Sequence, residues 1–348
     1  MDLQYNILEV AKYIGLHIRT GKNEKVEVEA RCPFCNDKGF HLSLNRVKNV
    51  FRCNLCEETG GTLQLYGKIF GVTTKEAYSA LKEKLPSAFQ YAHPKNLVLA
   101  NVYPTKPLEE RHVVYQRLLS LLALSDIHLR NLRKRGLSIE EIQGNCYRSV
   151  PLVTEVRQSI VKKLLDQYKL CGIPGFYTDF NGNWDMYCKS GILIPVRDKD
   201  SKIQGLQLRL DDTSNRKYRW LSSNYFQNGA KAEPWVHVTG NIHSTSAYIT
   251  EGPLKADVAS HLSGGRLFIA IPGINCTERL PDVLKSMGII RVAEALDMDK
   301  LIKPEVSMAV ENIRNIVQSC NIEYVPFQWN SRYKGIDDYL CSRMAAGQ

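Results

Sequence analysis

A chain of 348 residues is long enough for two or three domains with cores of their own. Hydrophobic content of 44% and charged content of 24% are ordinary for a globular protein, no apolar run is long enough to span a bilayer, and Met1-Asp2-Leu3-Gln4 opens no signal peptide. The expectation is a cytoplasmic protein with no membrane partner, whose charge of +10 favours a polyanion and whose ten cysteines are thiols or metal ligands rather than disulfides.

The first expected element is a short helix over residues 3–15, with Leu3, Ile7, Leu8, Val10, Ala11 and Ile14 on its apolar face and Gly15 as its stop. Two knuckles follow, Cys32-Pro33-Phe34-Cys35 and, after 17 residues, Cys53-Asn54-Leu55-Cys56. Each Cys-x-x-Cys directs two thiolates at one point, and two pairs complete a tetrahedral site for structural Zn²⁺. The alternatives are a redox dithiol, which needs only one pair, or four unrelated buried cysteines. His41 could replace one cysteine, but its strand position suits a core or surface role. His41-Leu42-Ser43-Leu44 and Val50-Phe51 alternate like a hairpin that would bring the knuckles together. This segment, through Gly60-Gly61 and the helix after it, resembles the zinc-binding domain of DnaG-type primases. Those commonly carry His at the second ligand position, where this chain has Cys35. The resemblance implies contact with a single-stranded template, for which Arg31, Arg46, Lys48 and Arg52 would supply cations; they could equally form a solvated face.

Helical patterns run from Thr62 to Phe70 and from Thr73 to Leu85. Pro86, Pro94, Pro104 and Pro107 then interrupt a polar stretch, read as a linker over residues 86–107. Helices are expected over 108–124 and 125–136, and Ser138 caps a third with acids in its first turn. The phrase Leu132-x-x-Arg135-Gly136-Leu137-Ser138 resembles the opening of the primase catalytic core.

Gly191 to Val196 and Ile203 to Arg209 read as a strand hairpin turning at Asp198-Lys199-Asp200. Lys217-Tyr218-Arg219-Trp220 follows. In DnaG-type primases a strand reaching a Pro, a turn, a Gly-x-x-x-Arg strand and a Lys-Tyr phrase come in this order, with Gly205, Arg209, Lys217 and Tyr218 at the matching places. The family's Asn after that phrase is absent here, so its contact is not carried over. Arg209, Arg216, Lys217 and Arg219 with Tyr218 and Trp220 make a basic strip with aromatic faces, suited to single strands because cations track phosphates while rings stack on bases. The alternative is a solubilising sheet edge. No Walker sequence is present, which excludes a fused motor.

From Ala247 to Leu340 apolar runs alternate with helical patterns, the signature of a parallel α/β sheet. The runs end at Glu251-Gly252-Pro253, at Pro272-Gly273, at Asp297-Met298-Asp299 and before Gly335-Ile336-Asp337-Asp338. Acids at strand ends lie where open α/β sheets place ligands. Glu251, Asp297, Asp299 and Asp337 or Asp338 together make an oxygen-only cluster suited to Mg²⁺ or Mn²⁺. Singly, each is most often a turn or helix cap. Lys255, in the first turn of the helix after Glu251, could hold a nucleotide phosphate or be solvated; Asp257 could support the site from behind or be helix-surface charge.

This ordered set resembles a Toprim domain, found in DnaG-type primases, topoisomerases, OLD-type nucleases and RecR-type proteins, so fold alone does not choose the activity. The expected fold class is multidomain α/β (α+β overall): a zinc ribbon over 1–85, the linker, a basic helical/β subdomain over 108–240 and a Toprim domain over 241–348. That order resembles a DnaG-type primase, in a compact form of the sort carried by phages, plasmids or integrated mobile elements. The resemblance implies template-directed RNA primer synthesis from nucleoside triphosphates on single-stranded DNA, with a replicative helicase or another replication protein as partner. In it Asp297, Asp299 and Asp337 hold magnesium, Glu251 is a ligand or general base, and Arg209, Arg216, Lys217, Tyr218, Arg219 and Lys255 bind nucleic acid or nucleotide. A Toprim nuclease and a non-catalytic DNA-binding adaptor are the rival readings.

Overall fold

The computed structural model describes residues 5–19, 27–35, 39–46, 48–84, 103–179, 182–213, 217–224 and 226–345. Helix α1 (Ile7–Tyr13) starts at Asn6, whose side chain accepts from the Leu8 amide, and it buries Ile7, Leu8, Val10 and Ala11. The antiparallel sheet β1 (Glu27–Ala30), β2 (Leu42–Asn45), β3 (Val50–Cys53) and β4 (Thr59–Gly61) follows in sequence order. Burial alternates along β1, β2 and β3, so Leu42, Leu44 and Phe51 fill one face. Helices α2 (Thr62–Phe70) and α3 (Thr74–Lys84) close that core with Leu65, Tyr66, Ala77 and Leu81.

Next come α4 (Leu108–Leu121), α5 (Asp126–Lys134), α6 (Ile139–Gly144), β5 (Arg148–Ser149), α7 (Thr154–Leu165), and the small hairpin β6 (Phe176–Thr178) and β7 (Trp184–Met186). Ser138 caps α6 as expected, accepting from the Glu141 amide at 3.1 Å. Strands β8 (Gly191–Arg197), β9 (Ile203–Leu210) and β10 (Tyr218–Trp220) join β5 in an antiparallel sheet ordered β10-β9-β8-β5. The remaining elements are β11 (His237–Thr239), β12 (Ser246–Glu251), α8 (Pro253–Leu262), β13 (Phe268–Ile271), α9 (Leu280–Ser286), β14 (Arg291–Glu294), a 3₁₀ turn (Met298–Leu301), α10 (Pro304–Ser319), β15 (Glu323–Pro326) and α11 (Ile336–Ala345). Here the sheet order is β11-β13-β12-β14-β15, parallel except for β11. The parallel α/β sheet expected from strand–helix alternation is present, with β12 at its centre.

Helix α8 lies between the two large sheets. On one side Leu254 and Val258 pack on Ile192 and Ile194 of β8. On the other Ala256 and Ala259 pack on Phe268 and Ala270 of β13, and their small side chains let the helix approach closely. A buried hydrogen-bond chain pins it: Tyr147 donates to Asp257 (2.5 Å), His237 Nε2 to Asp257 (2.9 Å), and the Arg197 amide to His237 Nδ1 (2.9 Å). Asp257 is therefore not helix-surface charge but a buried acceptor behind the site.

Two compact units emerge among the described residues: one from residues 1–105, 169–187 and 222–231, the other from 106–168, 188–221 and 232–348. The expected subdomain over 108–240 is thus interrupted. Ser223 is the reason for part of this, since its hydroxyl donates to Phe176 O (2.7 Å) and accepts from the Gly175 and Ala230 amides (3.1 Å each). Phe226 then packs against the ribbon core, and the Tyr103 amide donates to Gly229 O at 2.8 Å. Residues 86–102 of the expected linker lie outside the described residues, as do Leu3 of the first expected helix and Arg216 of the basic strip. No helix among the described residues is long and apolar enough to cross a membrane.

Candidate functional site

The first site belongs to the ribbon unit. Cys32 and Cys35 follow β1, Cys53 ends β3 and Cys56 lies in the turn after it; the register Leu42↔Cys53 draws the second knuckle to the sheet. All four cysteines are buried, and their sulfurs lie within 4.8 Å of one another. Cys32 and Cys56 Sγ are 3.7 Å apart, and Cys35 and Cys53 Sγ 3.9 Å. A tetrahedron with metal–sulfur bonds of about 2.3 Å has edges of about 3.8 Å, so the thiols already stand at the corners of a zinc site. The Leu55 amide donates to Cys53 Sγ (3.4 Å), the kind of contact that orients a thiolate. Hydrogen bonds among the thiols push Cys35 up and Cys53 down, because buried neighbours share protons rather than ionise together. These residues fit a structural Zn²⁺, which would hold all four as thiolates. His41 is exposed and outside the set.

The second site lies at the C-terminal edge of the parallel sheet. Strand β12 ends at Glu251, and Gly252 turns the chain with φ of +85°, a conformation that glycine adopts without strain, before Pro253 starts α8. Because β14 pairs beside β12, Asp297 and Asp299 leave the sheet next to Glu251. Helix α11 brings Asp337 in from the other side. Asp337 is buried and accepts from Arg135 at 3.1 Å, whereas Asp338 is exposed and receives the Gly335 amide at 3.5 Å. Gly335 has no positive φ; its missing side chain is what matters. A Cβ there would collide with Asp337 Oδ1, and would lie 3.3 Å from Lys255 Cε and 3.6 Å from Asp297 Oδ1.

Cations interleave with these acids. Lys255 pairs with Asp297; Lys334 reaches Asp299 at 3.2 Å and Asp297 at 3.8 Å; Lys303 also reaches Asp299 at 3.2 Å. Burial pushes the Glu251 carboxyl up, with Lys255 opposing and Asp297 reinforcing. Burial likewise raises Asp337, against Lys255 and with Asp338. Burial works to raise Asp299 too, but hydrogen bonds from Lys334 and Lys303 outweigh it and hold this carboxyl below its ordinary range. Among the described residues, only the four cysteines offer three or more ligand atoms within 4.8 Å of one another. The carboxylates converge on one place, but ammonium groups stand between them.

The basic strip meets this cluster in part. Tyr218 pairs opposite Arg209, so both lie on one face, and with Lys217 they sit close enough to Asp337, Arg135 and Lys255 to feel their charges. Burial, then Arg135, Arg209 and Lys255, push the Lys217 ammonium down. Arg209 Nε is buried without a hydrogen-bond partner. Asn131, Lys134, Arg135, Arg209, Asp337, Asp338 and Cys341 line a cavity of about 290 Å³. Arg219 pairs with Leu208 on the opposite face, away from the acids, because successive strand residues alternate. Trp220 is half-buried and makes an edge-to-face contact with Trp235 (5.4 Å). Arg135, Lys303 and Lys334 were not in the expected site. The Arg135-Gly136 phrase was a signal for the first, and the Lys immediately before Gly335-x-Asp337 for the last.

Residues 2–96 match the family model described as the CHC2 zinc finger of the DnaG zinc ribbon; this chain presents four cysteines there. Residues 235–346 match a domain of unknown function, DUF3854. Over 366 aligned positions the chain is 22% identical to a DNA primase of Mycoplasma genitalium, covering 98% of this chain and 57% of that protein, so it spans little more than half that relative's length. The zinc-binding and RNA polymerase domains of the Aquifex aeolicus primase share the fold, with a TM-score of 0.53 and 17% identity over 99% of this chain and 82% of that one. In its N-terminal zinc ribbon, its sequence and its fold, the chain is similar to DnaG-type primases.

Proposed function

We propose that the chain is a nucleotidyltransferase that makes short RNA primers on a single-stranded DNA template, with residues 241–348 acting as a Toprim-type centre. The observation that carries this reading is the meeting of Glu251, Asp297, Asp299 and Asp337 with Arg135, Arg209, Lys217 and Lys255 at one sheet edge. Its similarity to a DNA primase points the same way.

Asp297, Asp299 and Asp337 would hold Mg²⁺ or Mn²⁺; the missing side chain of Gly335, which lets Asp297 and Asp337 approach, and the absence, among the described residues, of a cation paired with Glu251 suit such an ion. When bound, divalent ions neutralise triphosphate charge and stabilise the attacking and leaving oxygens of a phosphoryl displacement. Glu251 completes the ligand set or takes the proton of the attacking 3′-hydroxyl, a task helped by a carboxyl pKa raised towards the working pH. Arg135, Arg209 and Lys217 hold nucleotide and template phosphates in line, and the Arg135–Asp337 pair helps to fix the first of them while charge develops. Arg219, on the far face of its strand, is left out of this set. The ribbon engages the template, and a helicase or another replication protein would be the partner.

The test is incubation of the zinc-loaded protein with single-stranded DNA, Mg²⁺ and labelled nucleoside triphosphates. Short RNA products that vanish on Asp297→Asn are the expected result. Shortened DNA without nucleotide incorporation would favour the nuclease, and salt-sensitive DNA binding with neither product would leave the adaptor.

A further inference from the structure

Lys255 stands in an unfavourable place. It sits in the first turn of α8, where the helix dipole and unpaired amides disfavour a cation. Its side chain is only 18% exposed, so it has lost much of its hydration, and its partner Asp297 is 13% exposed. A helix-surface lysine four residues after Glu251 could have turned to solvent. Instead its stem runs past Gly335, and its ammonium enters the space that Glu251, Asp297 and Asp337 share.

No three carboxylates among the described residues bring their oxygens within 4.8 Å of one another, so the acids as they stand are not a closed ligand set. And the Lys255 stem crosses the gap at Gly335 between Asp297 and Asp337, with its ammonium paired to the first, so one charge stands among several of the acids. A group so placed does what a metal ion does there: it compensates several acids at once.

We infer that Lys255 is the built-in counter-cation of the acid cluster, competing with the divalent ion for Asp297 and turning to a nucleotide phosphate once that ion takes its place. This rests on the metal-binding role proposed above. The lysine then has two opposite effects. It weakens binding of the free ion, because the ion must displace it. It strengthens binding of the triphosphate, because displacement releases a desolvated cation beside the phosphates. Metal and nucleotide become mutually dependent, each taking one half of the Lys255–Asp297 pair.

The experiment uses the full zinc-loaded chain and Mn²⁺ alone, with free Mn²⁺ followed by electron paramagnetic resonance, for the wild type, Lys255→Met and Asp297→Asn. Methionine keeps the apolar stem and removes the charge. Lys255→Met should bind Mn²⁺ about tenfold more tightly, within the range typical of coupled sites, and Asp297→Asn should lose saturable binding. In primer synthesis the same Lys255→Met variant should need less metal while its KM for nucleotide rises. Unchanged or weaker Mn²⁺ binding by Lys255→Met beside normal wild-type binding overturns the competition and leaves the proposed function standing. No saturable Mn²⁺ binding by wild type or variant overturns both. Should Lys255→Met fail to fold, Lys255→Gln replaces it; Lys255→Arg, which keeps the charge, must bind Mn²⁺ no more tightly than wild type.

Discussion

Tyr147→Phe removes one oxygen from the interior and nothing else. That hydroxyl donates to Asp257 at 2.5 Å, where both residues are buried, and burial and the carboxylate together hold the phenol well above its usual range, so it is a permanent donor. His237 supplies the second hydrogen bond to Asp257, and its orientation is set by the Arg197 amide on its other nitrogen. A hydrogen bond to a charged group contributes about 1.5–3 kcal/mol, and a buried carboxylate that loses one has no water to replace it. About 2 kcal/mol is therefore expected, which for a unit of this size lowers Tm by roughly 4–8 °C. Thermal unfolding followed by circular dichroism measures it. Because Asp257 anchors α8, the helix that starts two residues after Glu251 and carries Lys255 in its first turn, the Mn²⁺ affinity of the folded variant should also weaken. A Tm within about 1 °C of wild type would show that the Tyr147–Asp257–His237 chain does not pin α8, and the placement of the site would need another cause.

Cys53→Ser should release zinc, measured by a chromogenic chelator, and unfold the ribbon, while Cys35→His should retain the metal because imidazole serves the same tetrahedron; equal retention by both would refute a four-thiolate centre. Gly335→Ala drives a Cβ into Asp337, which Arg135 holds in place, and should cost about 1–3 kcal/mol by overpacking and weaken the response of Tm to Mg²⁺; an unchanged response would remove Gly335 from the site. Burial raises the folded pKa of Glu251 and of Asp337, so between the ordinary carboxylate range and those raised values the folded state keeps protons that the unfolded state has lost. Their contribution to stability thus falls as pH rises through that window, and the penalty is complete above it. Mg²⁺ relieves the same penalty in competition with protons, so its Tm increment should be larger at pH 7.5 than at pH 5.5, and less pH-dependent in Glu251→Gln; increments equal at both pH values would contradict this.

Some features were legible in the chain because they are local. A Cys-x-x-Cys knuckle is closed by its own turn, so spacing alone announced the thiol centre, and alternation along β2 and β3 announced the hairpin that joins its halves. Glu251, Asp297 and Asp299 could be read as neighbours because each follows an apolar run, and parallel pairing of β12 and β14 aligns the ends of those runs. The resemblance to DnaG-type primases added a fold that the similarity to a solved primase shares.

Other features were decided only when distant segments met. Asp337 and Asp338 are adjacent in sequence, and it took the docking of α11 to bury the first on Arg135 and leave the second in solvent. Asp257 could be read as a support behind the site or as surface charge until two residues from elsewhere in the chain, Tyr147 and His237, supplied donors for it. Trp220 found an edge-to-face partner in Trp235, and strand alternation turned Arg219 away from the acids. The lysines between the carboxylates were least legible of all. A side chain's charge is written in the sequence, but its choice of partner depends on which other charges the fold has brought within a few ångströms and how much water it has removed from between them.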